Sequence, residues 1–450
     1  IGPSGSKILA RTASFGSASF CRIYHAGHAL RVSTLDGSKH CAVFTAPSGC
    51  AKPLQNPKKA AEEKMRPRSR TPPPTDRTKS SMPPTPTRQA RRLWLTSSLT
   101  QSFKTPSRWE QTKLVVKMSI RLTWMTVRGS PLWAVNFIRL ILYALFCAPA
   151  LARSIRYYFS GAVDRSLRYG PKVRHTADVY RPIAIRGEKA PTVIFVSGGA
   201  WVIGYKAWAS LTGRALAAHG ILVFAPDYRN CPQCDVHGMA SDVDLAIGWC
   251  LEKCEEYGGD RENVVLVGQS AGAHLCALVL LRGAVHWRPN DLRGFVGISG
   301  PYHVPATAAH WRARGFGQAM LDFIFGDEAG MLMASPSYLA ARAEEVELPP
   351  MLLLHGTADK SATAQSTLDF AAALEDLGVD VQTKLYEGWT HTDPILERPF
   401  AGDQRLHRDL LEAVSKWCDG PVASFSDETP GLGRLCPQVL IELGRRCMPF

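Results

Sequence analysis

The sequence predicts an α/β fold built on a mostly parallel sheet with helices on both faces. Two observations carry that expectation. From about residue 190 onward, short and continuous apolar runs alternate with helix-length stretches, and strands that are apolar throughout belong to sheets buried on both sides. One of these runs, 264–267, leads straight into Gly268-Gln269-Ser270-Ala271-Gly272 and then into the helix-forming residues 273–278. A strand, a sharp turn and a helix around G-x-S-x-G is the setting of a nucleophile elbow. Glycine at 268 and 272 removes side chains that so tight a turn would force into collision.

The elements follow in order. Residues 192–196 form an apolar strand, succeeded by a glycine pair and a helix near 211–218. The run 221–225 is the next strand, and 240–256 is a helix with apolar residues at helical spacing. After the elbow come a strand at 294–298, an insertion at about 301–349 and a strand at 351–354. A helix near 364–377, a strand at 381–386 and a helix near 406–417 complete the set. The insertion carries Phe316, Met320, Phe325, Met331 and Met333 among other apolar residues. Its place before the strand at 351–354 predicts a cap over the site, either packed in the ordinary way or lining an apolar pocket for a long hydrocarbon.

Ahead of this domain the composition changes. Residues 1–113 hold 20 Lys and Arg against 5 Asp and Glu, a surplus of 15, while the whole chain of 450 residues has a net charge of +14. The remainder is therefore close to neutral, so the basic character belongs to the N-terminal tail and implies no nucleic-acid partner for the main domain. The tail is rich in Pro, Ser, Thr and Arg, a mixture that cannot bury a core, and is read as disordered. Its first 35 residues, rich in Ser and Arg, resemble a transit peptide, and Met118 offers an internal start. Residues 114–160 form a membrane-associated segment around the hydrophobic stretch 131–151, which is long enough to cross a bilayer as one helix and also suits a surface-lying one. Arg139 near its middle weakens the spanning reading. Residues 161–450 are the catalytic domain. The 12 cysteines lack the spacing of a disulfide framework. Cys231-x-x-Cys234 and Cys250-x-x-x-Cys254 read as small buried thiols, so no metal and no cofactor are expected.

Ligands of such sheets bind at the carboxyl ends of the strands, and the candidates for chemistry fall there. Asp359 lies five residues past the strand at 351–354, and His391 follows the last strand. The order Ser270, Asp359, His391 is that of the α/β-hydrolase fold. In that arrangement His391 takes the proton of Ser270 and Asp359 fixes the imidazole. Asp359 alternatively caps the following helix. Asp393 is the rival acid, but two residues from His391 is too near to face the ring, and His274 is expected to pack within the elbow helix. Gly198, Gly199 and Ala200 follow the first strand, where an oxyanion loop would stand, with the Ala271 N–H as its complement. Gln269, beside the nucleophile, is grouped with them as an oxyanion or substrate-binding residue.

Several longer motifs go further. Residues 197–208 (SGGAWVIGYKAW), 227–230 (DYRN), 256–260 (EYGGD), 268–274 (GQSAGAH) and 390–393 (THTD) resemble the isoprenylcysteine α-carbonyl methylesterases over about 157–450. Related esterases of the hormone-sensitive-lipase type usually carry His where Ser197 stands. The resemblance implies a serine esterase that removes the methyl ester from the C-terminal prenylcysteine of prenylated proteins at endoplasmic reticulum or Golgi membranes. A general lipid or arylformamide esterase is the alternative on the same scaffold, and a non-catalytic ligand receptor a more distant one. The last four residues, Cys447-Met448-Pro449-Phe450, have the form of a prenylation box, but Pro449 argues against self-prenylation.

Overall fold

The computed structural model describes residues 131–183, 189–313, 316–344, 346–419 and 432–448, the backbone of three strands between 11 and 32, and single positions between 109 and 120. The chain divides into two compact units, Ile1–Ser80 and Ser81–Phe450. In the first, β1 (Arg11–Phe15), β2 (Ala18–His25) and β3 (His28–Val32) form an antiparallel sheet. These residues depart from the expectation of a tail without folded structure. Composition summed over the tail passes over a local run such as ASFCRIYH, whose aromatic and β-branched residues favour strands. Positions 33–108 and Met118 lie outside the described residues.

The second unit is built on an eight-stranded sheet in the order β11-β10-β9-β8-β6-β7-β5-β4. Its strands are β4 (Val163–Arg168), β5 (Thr176–Tyr180), β6 (Ala190–Val196), β7 (Leu222–Pro226), β8 (Gly259–Gln269), β9 (Gly294–Ile298), β10 (Met351–Gly356) and β11 (Val381–Tyr386). The strands from β6 to β11 are mutually parallel, whereas β5 runs antiparallel to both β7 and β4. Alternation along the central strands sends successive residues to opposite faces. Val193, Phe195, Val265, Val267 and Ile298 bury into one core with the helices Ser210–Ala218 and Arg405–Trp417. Ile194, Val196, Leu266 and Phe295 bury into the other, with Val236–Lys253 and Ala271–Arg282. This is the α/β-hydrolase fold.

Two strands escaped the sequence pattern. β4 reads VDRSLR, too polar to register, and its register shifts between Asp164 and Leu167. β5 carries Asp178, fully buried, which accepts hydrogen bonds from Tyr158 Oη (2.7 Å) and the Ser166 N–H (2.8 Å) and pairs with buried Lys206. The insertion folds as four short helices, Val304–Ala313, Gln318–Phe325, Glu328–Met333 and Pro336–Ala340. Met320, Leu321, Ile324, Phe325 and Met331 bury into the same core as the elbow helix, while Phe323 and Met333 remain exposed.

The stretch 131–151 is not the one continuous helix expected, but two helices that meet at a bend. The helix Pro131–Phe146 ends and Ala148–Tyr158 begins, with a bend of 78° between the pair. Pro149 explains the break: it has no N–H to donate and its ring clashes with the carbonyl four residues back, so it stands in the first turn of the second helix. No single helix among the described residues is long and apolar enough to cross a membrane. Tyr143, Cys147 and Ala150 bury into a third cluster with Phe400, Leu435, Cys436 and Ile441. Val135, Ile138, Ile141 and Leu145 face outward. Arg139 meets the helix Gln438–Cys447, donating to the carbonyls of Arg446 (3.4 Å) and Met448 (3.2 Å) at its C-terminal end, where a cation is favoured.

Burial holds the imidazoles of His274, His286 and His407 neutral, pushing each pKa down to about 4 from an ordinary 6.5. The unfolded chain therefore binds more protons than the folded one between those values, and stability is lost as pH falls through that window. Urea midpoints measured from pH 7 to pH 4.5 should decline, with a slope approaching about 1.4 kcal/mol per pH unit for each histidine at the acid end. A flat profile would contradict the assignment of these rings as neutral and buried.

Candidate active site

The site is assembled at the carboxyl ends of β6, β8, β10 and β11. β8 runs into Ser270, whose backbone lies at φ 52°, ψ −121°, a conformation that L residues rarely adopt. The turn leaves no room beside it. A Cβ at Gly268 would stand 2.5 Å from Ala273 Cα, and one at Gly272 would stand 2.1 Å from Val196 O. The Ser270 N–H donates to Ile298 O (2.7 Å), and its carbonyl accepts from the His274 N–H (3.0 Å), fixing the elbow at both ends.

From that turn the Ser270 hydroxyl reaches His391 Nε2 at 2.8 Å. The other ring nitrogen, Nδ1, stands 2.7 Å from Asp359 Oδ2. Asp359 is buried, and its second oxygen accepts the N–H groups of Ser361 (2.7 Å) and Ala362 (3.0 Å). Burial works to raise the Asp359 pKa, but the charge on His391 and hydrogen bonds from His355 and His391 outweigh it and hold the carboxyl well below the ordinary range. Ser270, Asp359 and His391 thus converge from three separate loops, and Asp359 braces its own loop as well as facing the imidazole.

The glycine loop closes over the nucleophile. A Cβ at Gly198 would meet Gln269 Oε1 at 2.4 Å and Ser270 Cβ at 2.7 Å, so only glycine lets the loop approach this closely. The Gly198 N–H donates to Gln269 Oε1 (3.2 Å). That corrects its expected part as a free oxyanion donor. Gln269 and Gly198 brace the loop, leaving the N–H groups of Gly199, Ala200 and Ala271 as the candidates to hold negative charge. Ala271 opens a helix, so its N–H has no partner within the helix. Gly199 (φ 135°), Ala200 (φ 50°) and Trp201 (φ 59°) carry the loop through three successive left-handed conformations.

What holds so strained a loop is the motif 227–230. Tyr228 Oη donates to Ser197 O (2.9 Å), and Asn230 Nδ2 donates to Val202 O (3.2 Å) and Gly204 O (2.8 Å). Arg174 donates to Gly204 O and grips Asp227. Trp201 turns inward, its Nε1 donating to His274 Nδ1 (3.2 Å), while His274 Nε2–H donates to Ala334 O (2.7 Å). His274 is therefore a packed, neutral residue joining the oxyanion loop to the cap, as expected of its place in the helix. Asp393 stays away from the His391 ring and instead accepts from Thr390 N (2.8 Å) and Thr390 Oγ1 (3.0 Å).

Sequence reasoning missed His355. It is fully buried, with Nε2 2.9 Å from Ala362 O and 3.1 Å from Asp359 Oδ2. Both partners are acceptors, so Nε2 carries the proton and Nδ1 accepts from Thr367 Oγ1 (2.7 Å). The catalytic carboxylate candidate thus faces two imidazoles. The one available signal was a histidine four residues ahead of Asp359 at the end of an apolar strand. Among the described residues no group of three or more His, Cys, Asp or Glu could hold a metal ion. Cys231, Cys250 and Cys254 are buried thiols.

Comparison with known proteins fits this geometry. Residues 177–311 match the BD-FAE family, and residues 246–421 match the prolyl oligopeptidase family. A probable isoprenylcysteine alpha-carbonyl methylesterase of Oryza sativa subsp. japonica is 35% identical over 357 residues, covering 76% of this chain and 83% of the relative. The chain belongs to the isoprenylcysteine alpha-carbonyl methylesterase family. The isoprenylcysteine alpha-carbonyl methylesterase of Arabidopsis thaliana is 33% identical over 332 residues, covering 71% of this chain and 77% of the relative. Among solved structures, an inhibited esterase B from Lactobacillus rhamnosis shares the fold, with a TM-score of 0.53 and 21% identity, covering 63% of this chain and 96% of that one. As a member of this methylesterase family, the protein is a serine carboxylic ester hydrolase.

Replacing Ser270 or His391 by alanine should lower kcat by more than about a thousandfold, with an unchanged thermal midpoint. Asp359→Asn, which keeps the shape but not the charge, should cost on the order of 10³–10⁴-fold. Steady-state kinetics on a nitrophenyl ester would read both; either alanine variant retaining a tenth of wild-type activity would contradict the assignment.

Proposed function

We propose that the protein removes the methyl ester from the C-terminal isoprenylcysteine of prenylated proteins, working at an endoplasmic reticulum or Golgi membrane. The observation that carries the chemistry is the unbroken line from the Ser270 hydroxyl through His391 to Asp359. His391 takes the hydroxyl proton as Ser270 Oγ bonds to the ester carbonyl carbon. The negative charge that moves onto the carbonyl oxygen is held by the N–H groups of Gly199, Ala200 and Ala271, with the helix Ala271–Arg282 presenting its positive end. Collapse of the tetrahedral intermediate breaks the bond to the methoxy oxygen, and His391 returns the proton so that methanol departs. Water, deprotonated by the same imidazole, then cleaves the acyl-enzyme. The products are the free carboxylate and the restored serine.

The substrate reading is supported by the names of the relatives, an isoprenylcysteine methylesterase and a probable one, which this chain matches over most of their length. The exposed apolar residues Val135, Ile138, Ile141 and Leu145 support a surface-lying association with a membrane. No acidic residue occurs from 111 to 163, while Arg139, Arg153 and Arg156 do, which suits an anionic lipid surface. An intact Ser270–His391 contact argues against a receptor that has lost its chemistry.

Comparing kcat/KM for a farnesylcysteine methyl ester with that for a short acyl ester tests the substrate. A preference of about a hundredfold or more for the prenylated ester is expected. Equal values would leave an esterase of the general lipid or arylformamide type and set the prenylcysteine reading aside.

A further inference from the structure

The loop that carries His391 is tied to the far end of the chain. Asp393, two residues after the histidine, is completely buried. One of its oxygens closes the loop onto Thr390, as described above, and the other is gripped by the guanidinium of Arg445, with Arg398 Nε 3.4 Å away. Arg445 belongs to the helix Gln438–Cys447, more than fifty residues further on. A second strand of the same tie runs through Glu397, also buried, which accepts from Thr392 Oγ1 (2.9 Å) on the other side of His391. Tyr143 of the helix Pro131–Phe146 lies against Glu397, and burial raises the pKa of both groups. The two helices meet closely, since a Cβ at Gly444 would stand 3.3 Å from Cys147 Sγ and 3.4 Å from Tyr143 Cδ2.

We propose that Arg445 is a positioning residue for His391, acting through Asp393. The C-terminal helix, together with the apolar helix it rests on, is then part of the machinery that keeps the imidazole within reach of Ser270. The physical reason is that His391 sits in an irregular segment after β11, where no regular hydrogen-bond ladder fixes it. Its flanking residues at 390, 392 and 393 are instead held by side chains, and one of these contacts, from Arg445 to the buried Asp393 carboxylate, is charge-assisted. Arg398 shares the carboxylate, so losing Arg445 leaves Asp393 partly compensated and the domain folded. The cost falls on order in the loop, and small misplacement of a catalytic group is expensive in rate.

The inference rests on His391 as the general base and not on the prenyl substrate, so its test uses a soluble nitrophenyl ester. Rates are expressed per active site, from the amplitude of the acylation burst. Arg445→Ala should lower kcat about tenfold with KM within about twofold of wild type. Arg445→Lys should recover most of the loss, and added guanidinium ion, at a concentration that leaves wild type unaffected, should recover part of it in the alanine variant. Should Arg445→Ala give no burst, Arg445→Gln is measured in the same way. An unchanged kcat per site, or a loss that neither lysine nor guanidinium relieves, would overturn the proposal. A folded wild-type chain that turns over no ester would instead overturn the esterase reading.

Discussion

The structure depends on one strained residue. Ser270 occupies a left-handed backbone conformation at the end of β8, and everything else in the site is arranged to make that conformation tolerable and useful. Gly268 and Gly272 clear the space. The hydrogen bonds to Ile298 O and from the His274 N–H fix the turn. The sheet order then does the rest: β6 lies on one side of β8 and β9 on the other, so the glycine loop after β6 passes against Ser270 Cβ while the loops after β10 and β11 bring the acid and the base. Strain of this kind costs roughly 1–3 kcal/mol and persists only when the surroundings over-determine it. Here the buried inner strands of the sheet and the two apolar cores on its faces supply that rigidity.

A second constraint governs the oxyanion loop. Three successive residues there have positive φ, and the loop's own hydrogen bonds, from the N–H groups of Val202 and Ile203 to Gly199 O, are supplemented from outside. Tyr228, Asn230 and the Arg174–Asp227 pair clamp the loop from behind by capturing its carbonyls, which leaves its N–H groups for the substrate side. The acid loop is built on the same logic. Asp359 accepts two backbone N–H groups and faces two imidazoles, so its carboxylate is fixed before any substrate arrives. Both loops thus carry polar groups fixed before the charge develops, which is how such groups act most strongly.

Much of this was legible in the sequence, and the pattern of what was not is physical. The central parallel strands showed themselves because a strand buried on both faces must be apolar throughout. Ser270, Asp359 and His391 showed themselves because strand ends are where such a fold places its chemistry. β4 and β5 did not, since an edge strand with Asp164 and a buried Asp178 breaks the apolar signal. The hydrophobic stretch 131–151 looked continuous because hydropathy does not weigh Pro149 as a helix breaker. His355 left only its place at the end of an apolar strand, four residues ahead of Asp359, and Arg445 left no trace, since its contact with Asp393 spans more than fifty residues and has no period to detect. Gln269 was visible as a neighbour of the nucleophile, but that its side chain takes the Gly198 N–H follows only from the fold.

The account stands on a serine that is activated by His391, and labelling measures this most directly. A fluorophosphonate probe incubated with the intact chain, followed by peptide mass analysis, should give one adduct per molecule on Ser270. The same probe on a folded His391→Ala variant should react far more slowly. A folded wild-type protein that takes up no label, or takes it up at another residue, would contradict the central claim.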